Sequence, residues 1–350
     1  MMVSQISRIY LLNFTWMLIF VLPVIVPFFQ SKGLSMENVF QIQAIFSFFI
    51  MVFEVPSGYI SDVLGRKFTL ILASIFHGIG FSLFPYCDTF YEFIIPEMCM
   101  AIAISLLSGT DTSLLYDYVD DTKDKSEQNK ILGNKLFVTQ IGESVSAIIG
   151  GFVAAYYSLN MTANLTAIIS WLPLTICFFV VEPNRDKLSQ GSHKNNIKYV
   201  FEFLKNGGPL LKYIILLQVF YSLSTYIAVW AFQVYWKDIG FSLKDFGVLW
   251  VINNLLVAFS AKFALSLEKK LGSYKSIILI GILPIIGYFT MGLKVAFYGA
   301  LFGFLFQVQR GFSQVIFNHA LNTRVESKVR ATVNSLTSLG MRMSFVILGP

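Results

Sequence analysis

The sequence predicts an all-α polytopic membrane protein built as two helical bundles. Three observations predict it. The chain is 55% hydrophobic and 13% charged, with 35 phenylalanines, whereas soluble domains carry about 25% charged residues. Apolar runs of roughly 20 residues, the length that crosses a bilayer as a helix, recur along the whole chain. The second half also repeats landmarks of the first.

The runs fall in order. The first is about 9–29 and carries Asn13, Trp16, Pro23 and Pro27. The second is about 37–60 and the third about 68–86, joined by a link so short that the chain must turn sharply at one membrane face. The fourth, about 90–117, precedes a charged link at 120–125. The fifth is about 133–157 and the sixth about 163–181. Residues 183–210 form the longest polar stretch, with an amphipathic segment expected at 196–206. Five further runs follow, at about 211–235, 245–267, 276–293, 297–320 and 329–350. The expected organisation is therefore an N-terminal six-helix bundle (1–182), a cytoplasmic linker (183–210) and a C-terminal bundle (211–350) with five helices, a twelfth being absent from the sequence.

Lysine and arginine orient these runs. With the N-terminus placed in the cytoplasm, 19 of the 26 basic residues fall on the cytoplasmic side and four on the other, with Lys262, Arg310 and Arg342 inside runs. Such a split is the positive-inside signature. A surplus of base used for orientation gives no reason to expect nucleic acid as a partner. The expected partners are the bilayer and a small-molecule substrate, with the protein acting as a monomer. The three cysteines are far apart and show no metal or disulfide pattern. No metal site, cofactor, nucleotide-binding loop or catalytic constellation is seen, which argues against an enzyme and against ATP drive.

The turn between the second and third runs reads Gly58-Tyr59-Ile60-Ser61-Asp62-Val63-Leu64-Gly65-Arg66-Lys67. Gly58 is small enough for a close helix approach, and Gly65 is suited to a tight turn. In Gly58, Asp62, Gly65, Arg66 and Lys67 this stretch resembles the Gly-x-x-x-Asp-x-x-Gly-Arg-Lys loop of the major facilitator superfamily. The preceding Glu54-Val55-Pro56-Ser57 is similar to a variant among its drug:proton antiporter-like members. The resemblance implies two six-helix halves around a cavity lined by helices 1, 4, 7 and 10. It also implies a conformational latch, in which Asp62 meets the start of helix 11 and Arg66 pairs with Asp117. Leu64-Gly65 has a counterpart in Leu271-Gly272, where Lys269 replaces the acid. Asn129-Lys130-Ile131, Gly142 and Gly150-Gly151 parallel Ser327-Lys328-Val329, Gly340 and Leu348-Gly349.

Charges inside a bilayer cost about 2.5–3.5 kcal/mol each on insertion scales, so they mark candidate sites. Glu54, Asp111 and Glu143 lie in the first half; Lys262, Arg310 and Arg342 lie in the second. Polar residues recur at helical spacing: Gln307, Arg310, Gln314 and Asn318; Asn334, Ser338 and Arg342; Gln218, Ser222 and Thr225, with Tyr221 beside them. Such stripes must face protein or water, because lipid cannot hydrogen-bond them. Asn13, Asp111, Glu143, Gln218, Tyr221, Gln307, Arg310, Gln314 and Arg342 are therefore the expected substrate and proton pathway, with Asp111 and Glu143 the proton carriers. The alternative is that they serve as interhelical hydrogen-bonding groups.

The resulting expectation is a secondary transporter of the inner membrane, exporting a small organic molecule against a proton gradient. The antiporter signature of the fifth helix is partial: Gly142 and Gly150-Gly151 are present and its Gly-Pro pair is absent. A sugar or metabolite importer of the same superfamily is the alternative, and a non-transporting remnant or receptor is another.

Overall fold

The computed structural model describes residues 2–119, 125–182, 208–293, 296–324 and 327–350. The expected linker at 183–210 lies almost wholly outside them, as does the side chain of Asp62. The described residues contain helix and connecting turns, with no strand. They divide into two compact units: Met1–Gln190 with Leu243–Val248 and Pro350, and Gly191–Ser242 with Leu249–Gly349.

In the first unit the opening run is not one rod. Helix α1 spans Met2–Trp16; a 3-10 turn at Leu22–Val24 with Pro23 at its start leads into α2, Ile25–Ser31. Proline lacks the N–H a continuous helix needs, so a break here has a local cause. Helix α3, Met36–Leu64, starts in a reciprocal cap between Ser35 and Asn38. Helix α4 is Arg66–Leu83. The fourth run is split into α5, Phe90–Leu107, and α6, Thr110–Val119. The split lies at Gly109, whose φ of +79° is open to glycine and strained for other residues. Helix α7, Lys125–Tyr156, is longer than its apolar core suggested. The sixth run is also divided, into α8, Leu159–Ile169, and α9, Leu172–Phe179, with Pro173 opening the second piece.

Two features hold these helices together. Ile9, Leu12, Leu70, Leu114, Leu115, Cys177 and Val180 form one buried cluster. Phe28, Phe29, Phe84 and Phe93 form a second, with ring centroids 5.0–6.2 Å apart. Glycine sets the approach of α7 to the first run: a Cβ at Gly142 would strike the Phe14 carbonyl, and one at Gly150 the Phe20 carbonyl. Small residues where helix backbones meet are how membrane helices gain packing energy without a hydrophobic drive. Gly58 is exposed, and a Cβ there would meet nothing within 4 Å among the described residues.

The second unit holds α10, Pro209–Asp238, the part of α11 (Leu243–Leu271) from Leu249 onward, and α12, Ser273–Gly292. Helix α13, Ala296–Gly303, and α14, Leu305–Asn322, form the tenth run, and α15 is Ser327–Leu348. Its core gathers Leu211, Ile214, Tyr221, Ala264, Ile280, Ile316, Phe317 and Leu321. Trp230 and Trp236 are both buried, and Trp236 stacks on Phe232. Among the described residues eight helices are long and apolar enough to cross a membrane, with shorter apolar helices at Leu22–Ser31 and Thr337–Leu348. Large apolar side chains such as Phe152, Ile168, Phe220, Phe259 and Ile285 are exposed, which suits a lipid solvent.

The repeated turn is visible in both units. Gly65 (φ +108°) precedes α4 and Gly272 (φ +80°) precedes α12. In each copy a hydroxyl four residues on, Thr69 or Ser276, bonds the glycine carbonyl, at 2.8 and 2.9 Å.

Candidate functional site

The first unit carries a polar cluster where α3 turns into α4. The first N–H groups of a helix have no partner within it and carry partial positive charge. Glu182 supplies the partner: its two carboxylate oxygens accept from the backbone N–H of Arg66 at 2.8 Å and of Lys67 at 3.1 Å. Gly65 is required here by its φ, and a Cβ would also fall against the Glu182 carboxylate, which would have to shift. The Arg66 guanidinium pairs with Asp117 and donates to the Ser113 carbonyl, which ties α4 to α6. The end of α9 is closed by donors from elsewhere. Lys67 reaches the Phe178 carbonyl at 3.0 Å, Arg8 the Phe179 carbonyl, and the Tyr118 hydroxyl the Val181 carbonyl. Glu182 was not among the sequence-derived candidates. It stands 116 residues from Arg66, and its polar surroundings in the sequence resemble an ordinary solvated link.

Asp111 lies in the first turn of α6, just past the Gly109 break, and is 2% exposed. Its carboxylate pairs with the Lys135 ammonium of α7 at 2.5 Å, and Lys135 also donates to Thr112 Oγ1 at 2.7 Å. Lys135 was not among the sequence-derived candidates. The structure makes it the partner of the buried acid. Glu143 is half-buried on the same helix. Asn13 is buried with its amide donated to the Ile9 carbonyl of its own helix at 2.9 Å. Another acid escaped the sequence reading: Glu97 of α5 is 2% exposed and accepts from Gln43 Nε2 of α3 at 3.3 Å. Its signal is present in the sequence, as a carboxyl several residues inside the fourth apolar run.

In the second unit, α10, α14 and α15 line an open cavity of about 260 Å³. Helix α10 contributes Ser222, Thr225, Tyr226 and Val229; α14 contributes Arg310, Ser313 and Gln314; α15 contributes Met341. Among the described residues Arg310 is the one charged group in this lining. The Thr225 hydroxyl bonds Gln309 Oε1 behind the wall. Tyr226 is braced edge-on against Phe345 at 4.6 Å.

The expected stripes are only partly brought together. Arg310 and Gln314 line the cavity, while Asn318 is bonded by Gln218 at 2.7 Å. Gln307 is buried outside the lining, its Oε1 without a hydrogen-bond partner among the described residues. Tyr221 belongs to the hydrophobic core, stacked on Phe317 with its hydroxyl on the Ile277 carbonyl at 3.3 Å. It is a packing residue in this structure. Arg342 is half-buried beside Met341 in sequence and outside the lining. A larger cavity, about 760 Å³, opens among α10, α11, α12 and α14, with His319 and Arg324 on its wall.

Residues 9–350 match the family profile described as Major Facilitator Superfamily. The chain belongs to this superfamily. Among superfamily relatives, an uncharacterized MFS-type transporter of Methanocaldococcus jannaschii is 24% identical over 286 residues, covering 78% of this chain and 70% of the relative. Of solved major facilitator structures, a mutant of nucleoside transporter NupG superposes with a TM-score of 0.80 at 12% identity, covering 99% of this chain and 89% of that one. The D-xylose-proton symporter superposes with a TM-score of 0.71 at 14% identity, covering 99% and 88%. At such identities the superpositions establish the fold alone. The role supported for this superfamily member is that of a secondary transporter.

Proposed function

We propose that this chain carries a small organic solute across the inner membrane by alternating access, in the export direction and driven by protons, with its N-terminus in the cytoplasm. The observation that carries the reading is the polar cavity of the second unit. One guanidinium, hydroxyls and an amide converge in an otherwise apolar helical body, the composition of a small-molecule site. Two solved structures with the same fold are named for nucleoside and D-xylose transport, the latter for a proton symporter. Proton drive is assigned to Asp111 and Glu143. Asp111 has a cation partner in Lys135, and an acid whose counter-charge moves between conformations loads and releases a proton. Export rests on the drug:proton antiporter-like run at 54–67 and on the glycines of α7 that seat it on the first run. Arg66 with Asp117 would act in the conformational latch.

The test is flux of a compound panel in proteoliposomes, with and without a pH gradient, for the parent, Glu143→Gln and Asp111→Asn. Gradient-dependent export that both variants lose is expected. Flux indifferent to the gradient rejects proton drive. Gradient-driven uptake rejects the direction.

A further inference from the structure

We infer that Glu97 is a proton-binding residue of the carrier, additional to Asp111 and Glu143, and that it stands here as the neutral acid in the seam between α3 and α5. Its place in a transport cycle rests on the transporter reading above; its protonation does not. Glu97 lies seven residues into α5, about 10 Å along the axis from the start of that helix. It is 2% exposed, and Gln43 of α3, which donates to its Oε1 at 3.3 Å, is 3% exposed. One turn earlier, Phe93 packs against the rings of Phe28, Phe29 and Phe84. Helix α4 closes in as well, since a Cβ at Gly80 would strike Met100, Cys99 and the Pro96 carbonyl.

A carboxylate taken out of water is strongly disfavoured unless a cation pairs with it, and otherwise it neutralises. Asp111 has such a cation in Lys135; Glu97 has an amide. Lys32 is held by Asp88, Arg66 by Asp117, and Lys67 and Arg8 by carbonyls at the end of α9. On α4, His77 is turned to the Ser170 carbonyl at 3.1 Å and to Trp16. On α3, Glu37 and Glu54 stand six residues before and eleven after Gln43. Glu92, at the start of α5, accepts from the backbone N–H of Asp88 and Thr89. The Cys87 thiol donates to the Glu92 carbonyl at 3.4 Å. That carbonyl is open to it because Pro96 has no N–H to bond it, so α5 lacks a rung just before Glu97. A missing rung is where a helix bends most readily, which gives the seam a place to part. On parting, the acid O–H breaks and its proton passes to water; on closing, a proton from water re-forms it.

Infrared spectroscopy of the full chain in lipid vesicles reads the protonation. The parent at pH 7 should show the carbonyl stretch of a buried carboxylic acid, absent in Glu97→Gln and kept in Asp111→Asn. Gln43→Leu should move that band to higher frequency by removing the hydrogen bond to Oε1, which keeps the inference testable if Glu97→Gln does not fold. The compound panel in proteoliposomes reads the coupling. One coupled proton is worth tenfold in accumulation per unit of pH gradient, so Glu97→Gln should lower the gradient dependence by about tenfold per pH unit. A parent without the band, or a band that survives Glu97→Gln and stays in place in Gln43→Leu, overturns the inference whatever the flux. A band lost in Glu97→Gln with unchanged gradient dependence overturns the role in the cycle. Absence of parent flux for the whole panel overturns the transporter reading and that role with it, and the band then decides the protonation by itself.

Discussion

Removing the Glu182 carboxylate should loosen the first unit. The magnitude follows from the two bonds it accepts, from Arg66 N at 2.8 Å and Lys67 N at 3.1 Å. Loss of a helix N-cap costs about 0.5–2 kcal/mol, and an anion at a helix N-terminus adds about 0.3–1 kcal/mol. Glu182 is half-buried, so the electrostatic part is taken near the low end. Glu182→Ala should then destabilise by about 2 kcal/mol. Glu182→Gln, which keeps one acceptor oxygen, should cost about half of that. For a body of this size about 2–4 °C of melting temperature accompanies each kcal/mol, so the alanine variant should melt about 4–8 °C below the parent. The assay is thermal unfolding in detergent, followed by labelling of cysteines as they emerge. A second substitution sharpens the test. Gly65→Ala places a Cβ against the same carboxylate and forces a non-glycine residue to a φ of +108°. Part of its cost should vanish in the Glu182→Ala background, because the clash goes and the backbone strain stays. If Glu182→Ala melts with the parent, or the two substitutions add in full, the clamp between Glu182 and the α4 N-terminus is not a stabilising contact.

Other expectations follow from the same geometry. Asp111→Asn leaves the Lys135 ammonium, 16% exposed, without its counter-charge, and should destabilise by about 3–5 kcal/mol. Asp111→Asn combined with Lys135→Met should recover most of that loss in the same melting assay, and a double variant no better than the single one would refute the pairing. The Cys87 thiol, in the turn after α4, is pushed up to about 11, chiefly by burial with Glu92 adding to it. Only the thiolate reacts with iodoacetamide. Labelling of Cys87 in the folded protein should therefore keep rising about tenfold per pH unit from pH 7 towards 10, and levelling near pH 9 would contradict the burial.

That the chain is a multi-span helical protein was legible because bilayer thickness fixes how many apolar residues a helix needs. The breaks within spans were not. Ser108-Gly109 and Ser170-Trp171 sit inside unbroken apolar runs, so hydropathy passes over two half-helices as one. Spacing placed Gln218, Ser222 and Thr225 on one face, but only Thr225 and Ser222 reach the cavity, and Tyr221 turns into the core. A step of one residue rotates a helical side chain by about 100°, enough to separate a neighbour from its stripe. The Gln307–Asn318 stripe was legible as polar, yet its members divide among a cavity wall, an interhelical bond and a buried position. Periodicity gives a face and says nothing of what stands opposite it. Glu182 and Lys135 were missed for one reason. Each looked like a solvated charge near a span end, and each is fixed by a partner distant in sequence.

The paired joints at Gly65 and Gly272 share a bend and a hydroxyl brace, so the steric demand is common to both copies. Grafting residues 271–276 over 64–69 would keep that bend, the brace and the two main-chain amides that Glu182 grips, while removing the Arg66 and Lys67 side chains.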